Sequence, residues 1–186
     1  MIYSNCVRKA MILAELMHRG QYDKGGYPYI HHVMHLAEQA KTEEVATVCL
    51  LHDTVEDNRL LSTEYSSVAL REIGIENESA RMLVNCKLCS FYGTGELDSA
   101  IDLLCKTVGF SDVINKAWKL ITRDKSITYI DYIKNLSAND IAREVKVIDL
   151  NHNNDISRLG DSDQTKTLRE RYRRAMDILK VNNEED

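Results

Sequence analysis

The chain is nearly free of residues that break a helix. Across 186 residues it holds one proline, Pro28, and eight glycines. Those two residue types are the strongest local interruptions of regular structure, so their scarcity leaves room for long helices. Apolar residues recur at helical spacing almost throughout. The expected class is all-α.

The periodicity divides the chain. Residues 4–19 set Cys6, Ala10, Leu13 and Met17 on one stripe, with Gly20 as a natural stop. QYDKGGYP reads as a loop marked by Gly25, Gly26 and Pro28. A second helix spans about 29–40. A third spans about 43–57, with Val45, Val48, Cys49 and His52 on one face. Ser62 can cap a fourth that ends at Gly74, and further helices fall near 77–89, 97–108, 111–122 and 128–136. Asn139 is a good N-cap for a helix carrying Val145, Ile148 and Asp149. A last amphipathic helix near 163–180 aligns Leu168, Tyr172, Ala175 and Leu179, and NNEED is a solvated tail. The segments 69–83 and 104–118 echo each other as helix, glycine stop, helix, with Gly74 and Gly109 in register. A shared helical-hairpin grammar accounts for this without duplication.

A chain of this length suits one domain, here residues 1–186, and can bury a core without staples. The net charge of −5 argues against non-specific nucleic-acid binding, which needs a cationic surface. The N-terminus is interrupted by Arg8, Lys9 and Glu15, unlike a signal peptide, and no run approaches the ~18 apolar residues of a membrane span. The five cysteines show no framework spacing, which fits reduced thiols and a cytoplasmic location. Cys86 and Cys89 lack the second pair that a zinc site needs, so they read as core cysteines of one helix face.

The stretch VCLLHDTVED places His52, Asp53, Glu56 and Asp57 at the end of an apolar run. On a continuous helix Glu56 lies four residues from His52 and Asp57 four from Asp53, so the acidic pair flanks the same space. Packed carboxylates repel one another and lose hydration, a cost that a bound cation removes. Further ligands would come from His18, His31, His32, His35 or Asp149. Mixed imidazole and carboxylate donors suit Mn²⁺, Fe²⁺ or Mg²⁺. The bland alternative is a capped, solvated helix end with one core histidine.

HRGQYDKGGYPYIHH (18–32), LLHDTVED (50–57) and VKVIDLNHNNDISRL (145–159) together resemble the HD-domain hydrolases of the RelA/SpoT type, in order and spacing. The resemblance implies an all-α HD-domain bundle and metal-dependent hydrolysis of ppGpp or pppGpp, with pyrophosphate released from the 3′ position. It implies His32, His52, Asp53 and Asp149 as ligands of Mn²⁺ (Fe²⁺ or Mg²⁺ as alternatives), and Glu56 and Asp57 as the pair acting on the attacking water. It implies nucleoside contact at Asn153 and base or phosphate contact at Lys24, with Arg19, Lys146 and Arg158 as further cations. Val33 stands where the family has proline, and Asp23 where better-known members carry arginine. The stretch of about 62–117 exceeds the compact pattern and reads as an extra helical hairpin, suited to covering the cleft or to assembly as a homo-oligomer. Hydrolysis of another nucleotide or phosphate ester, and an inactive nucleotide-sensing module, are the alternatives.

Overall fold

The computed structural model describes residues 1–56, 68, 70–155 and 163–181. Among them the chain is all-α: helices joined by turns, no strand, and a lone antiparallel bridge between Tyr22 and Pro28. The helices are α1 (Asn5–Met17), α2 (Ile30–Gln39), α3 (Glu43–Leu51), α4 (Glu78–Thr94), α5 (Leu97–Val108), α6 (Asp112–Ile121), α7 (Tyr129–Ser137), α8 (Asp140–Asn153) and α9 (Asp163–Val181). No described helix is long and apolar enough to cross a membrane.

Local chemistry sets most starts. Ser4, Thr42, Ser111, Thr128 and Asn139 each accept, through a side-chain oxygen, a backbone N–H of the first turn that follows. Gly95 and Gly109 close α4 and α5 in the left-handed region, at φ 77° and 80°.

The core is organised around α3. Every residue from Val45 to Leu51 is buried, and the helix packs against α1, α2, α6 and α8. A helix that is apolar all round can only be stable inside a bundle. Its one buried hydroxyl, Thr47, donates to the Glu43 carbonyl at 2.7 Å, so no polar group is stranded there. The outer layer is α9 on α7 and α8, and α4 on α5.

Besides the end of the third helix, two boundaries and one burial differ from the sequence reading. First, α1 stops at Met17 rather than near Arg19, with His18 as its cap. Second, α4 runs past Cys89, through Gly93, to Thr94; one interior glycine costs about 1 kcal/mol, too little to stop a helix that continues into a proper left-handed cap. Third, Cys86 is exposed rather than in the core, because among the described side chains of α4 the buried one is Leu88; the side chain of Cys89 lies outside the described set. Ser62 also lies outside it, although Gly74 does close a helical turn, at φ 106°. Of the stretch read as an extra hairpin, α4 and α5 pack on each other. From Asp112 onward the chain is α6, which rests on α3 and α8 and buries Trp118 completely.

Candidate metal centre

The third helix does not continue to residue 57. It ends at Leu51, and residues 52–56 form turns. The reason is local competition for carbonyls. The Leu51 carbonyl accepts both the Thr54 N–H at 3.0 Å and the Thr54 hydroxyl at 2.5 Å. The Cys49 carbonyl accepts from His52 Nδ1 at 2.9 Å. His52 and Glu56 are therefore not helix neighbours. The turn, rather than helical spacing, sets their directions.

His52, Asp53, His32 of α2 and Asp149 of α8 converge beneath this turn. Ligand atoms of His32, His52 and Asp53 lie within 4.8 Å of one another. His52 Nε2 is 3.0 Å from Asp53 Oδ2 and 3.9 Å from Asp149 Oδ1, and His32 Nε2 is 3.4 Å from the same Asp149 oxygen. Both Nε2 atoms are fully buried and make no hydrogen bond of acceptable alignment. Donors bound to one ion at ~2.1 Å sit about 3.0–3.5 Å apart in an octahedral or tetrahedral shell. The observed spacings of 3.0–3.9 Å bracket that range. The residues therefore fit a divalent cation of intermediate hardness.

The tautomers agree with ligation. A carbonyl only accepts, so His52 Nδ1 carries the proton and its neutral ring presents a lone pair at Nε2. His32 Nδ1 is 2.7 Å from His152 Nδ1. With His32 as donor there, its Nε2 is likewise free to bind a cation. Such outer partners orient metal-bound imidazoles.

The carboxylates are equally tied. Tyr29 OH donates to Asp53 Oδ2 in a short hydrogen bond. Lys146 Nζ is 2.8 Å from Asp149 Oδ2, and Asn153 Nδ2 donates to Asp149 Oδ1 at 2.5 Å. An oxygen of a carboxylate has two acceptor positions, so Oδ1 keeps one for an ion. Burial opposes charge on Asp149, yet Lys146 and the two histidines hold it well below the ordinary carboxylate range. Burial likewise opposes charge on Asp53, and His52 and the Tyr29 hydroxyl outweigh it. For His52, burial pushes down, but Asp53 and Asp149 lift it to about 9. Without an ion, a proton on His52 takes the place of the cation.

Glu56 stands one step from the cluster. Burial and the nearby Asp53 charge raise its carboxyl, opposed by the Arg123 N–H that donates to Oε1 at 2.6 Å. Glu56 also lines a cleft of about 730 Å³, together with Arg123, Tyr132, Asn135, the Gly95–Glu96 link between α4 and α5, and the first residues of α5, Leu97 to Ser99.

The other sequence candidates fall elsewhere. Lys146 and Asn153 both engage Asp149. Arg19 is half-exposed and 3.8 Å from Glu15, and Lys24 is exposed in the 18–29 loop. Asp57 and Arg158 lie outside the described residues. His18 Nδ1 meets Gln21 Oε1 at 2.6 Å inside the loop. Sequence reasoning missed Tyr29, His152 and Arg123 as partners of the site. Two signals existed: Tyr29 precedes His32 by three residues and His152 follows Asp149 by three, each one helical turn away. Arg123 carries no local signal. No protein-family model matches this chain, and neither does any curated protein.

Proposed function

We propose that the protein is a metal-dependent phosphohydrolase with an HD-type helical bundle. The observation that carries this reading is the convergence of two buried, unbonded imidazole nitrogens on the oxygens of Asp53 and Asp149. Imidazole nitrogens and carboxylates face each other in this way when a proton or a metal ion lies between them, and the convergence of both histidines and both aspartates on one space favours the ion. Bound there, Mn²⁺, Fe²⁺ or Mg²⁺ would lower the pKa of a water and polarise a phosphoryl oxygen.

The chain's own residues supply the rest. Glu56, with its raised carboxyl, is suited to taking a proton from the attacking water near neutral pH, and Asp57 is the second member of that acidic pair. Tyr29, His152, Lys146 and Asn153 hold Asp53, His32 and Asp149 in orientation, and the Cys49 carbonyl holds His52. With ppGpp or pppGpp as substrate, water adds to the 3′-linked phosphorus, the bond to the 3′ oxygen breaks, and pyrophosphate leaves with GDP or GTP as co-product. Purified protein with Mn²⁺ and ppGpp should release pyrophosphate, and Asp53→Ala should abolish it. Undiminished release by the alanine variant would remove the metal assignment.

A different nucleotide or phosphate ester is the second reading, favoured by the 18–29 loop. Asp23 is consumed in shaping that loop, accepting the N–H of Gly25 at 2.8 Å and of Tyr27 at 2.9 Å. It offers no cation for stacking a base, whereas Tyr22 and Tyr27 are 64% and 66% exposed. A nucleotide panel with Mn²⁺ separates the two readings: turnover of ppGpp at trace rates beside a better substrate selects the second.

A further inference from the structure

A second set of buried donors lies beside the metal position. The Tyr129 hydroxyl and Arg123 Nε are both buried and make no hydrogen bond. They belong together, because the Arg123 guanidinium carbon lies 5.5 Å from the centroid of the Tyr129 ring. Arg171 of α9 approaches the same ring at 4.7 Å. Among the described residues no carboxylate lies within ion-pair distance of Arg123 or Arg171, whereas Arg143, Arg173 and Arg174 each have an acidic partner. Two guanidinium groups drawn to one ring repel each other, and the ring offsets only part of that. Buried donors left unmet are costly as well. An oxyanion, with several acceptor oxygens and negative charge, would satisfy all three groups at once.

The position is joined to the cluster on two sides. Arg123 holds Glu56 through its backbone N–H at 2.6 Å. On the other side Tyr129 packs on Tyr132 at 6.0 Å, and Lys146 lies 5.6 Å above Tyr132 while binding Asp149. The outer cleft carries mixed charge: Glu96, Asp98 and Asp124 line it beside Arg123, Lys125 and Lys119, the last tied to Asp102 at 2.6 Å. We propose that Arg123, Arg171 and the Tyr129 hydroxyl form a subsite for a second phosphate group, next to the one that reacts. The substrate class is then a diphosphate, or a molecule with two closely spaced phosphates, rather than a simple monoester. The substrate role rests on the phosphohydrolase reading; the anion site itself does not.

Inorganic pyrophosphate is the probe, titrated calorimetrically into the full chain with Mn²⁺ and again with a chelator. Wild-type protein should bind it under both conditions. Arg171→Met and Arg123→Met should each weaken binding by about tenfold or more, and Tyr129→Phe by about threefold or more. Mn²⁺ affinity should not change. Arg171 is exposed and Tyr129→Phe removes one oxygen, so those two variants guard against a misfolded Arg123→Met protein. Equal pyrophosphate affinity in folded Arg171→Met and Tyr129→Phe overturns the subsite, as does no binding by wild type under either condition. Arg171-dependent pyrophosphate binding without Mn²⁺ uptake leaves the subsite standing and removes the hydrolase reading. Mn²⁺ uptake and hydrolysis with pyrophosphate affinity indifferent to all three variants does the reverse.

Discussion

Helices α3 and α4 divide the labour of this molecule. The shorter one is buried from Val45 to Leu51 and ends in two candidate ligands. The longer one packs mainly on α5 and leaves Met82 and Leu83 62% and 57% exposed. A helix buried all round cannot shift without disturbing its four neighbours, so ligands at its end hold fixed positions. A helix held on one side supplies a wall, and the α4–α5 turn does line the cleft beside Glu56. Position in the packing, rather than helix length, decides which element can carry chemistry.

The largest expected effect tests the buried end. Lys146→Met should destabilise the metal-free protein by about 3–5 kcal/mol in urea, because Asp149 keeps its burial and loses its cation. A loss below about 1 kcal/mol would mean that water reaches the pair freely. Leu50→Ala on α3 should cost about 2–5 kcal/mol through cavity formation.

The next effect is pH-dependent. His52 is raised to about 9 when no ion is bound. A group raised on folding contributes stability in full below its unfolded value of ~6.5 and loses it as pH climbs through the folded value. Asp53 and Asp149 are depressed, so their contribution is present above ~4 and fades as pH falls. Metal-free protein should therefore melt highest between about pH 4 and 6.5 and decline by pH 9. Saturating Mn²⁺ should abolish the alkaline decline, since the ion replaces the proton on Nε2. Parallel alkaline declines with and without Mn²⁺ would place the ion elsewhere. The smallest effect belongs to α4: Leu83→Ala should change stability by no more than about 0.5 kcal/mol. A cost like that of Leu50→Ala would show α4 to be as buried as α3, which would end the contrast.

Much of this was legible in the sequence. Helical period, caps such as Asn139 and the glycine stops depend on neighbours within a few residues, so they can be read from the chain. His52 and Asp53 could be singled out for the same reason, as ligand types beside an apolar run; the residues alone leave His18, His31, His32, His35 and Asp149 open as their partners, and the choice of His32 and Asp149 comes from the family resemblance. The end of α3 could not, because His52 and Thr54 satisfy backbone carbonyls locally and so override the apolar period. The exposure of Cys86 was also hidden, since a sparse α4 offers several equivalent faces and only packing on α5 selects one. The Arg123–Glu56 contact joins residues 67 positions apart and leaves no local trace.

The burial of α3 has a consequence for the exchange of its amide hydrogens. Val48 to Leu51 are fully buried and enclosed by four helices, so their N–H groups can meet solvent only when the whole bundle opens. They should be among the last in the chain to take up deuterium. His52 and Asp53 follow directly on those peptides. An ion bound there would be tied to backbone expected to be among the slowest to exchange, so capturing it would require little ordering of the chain.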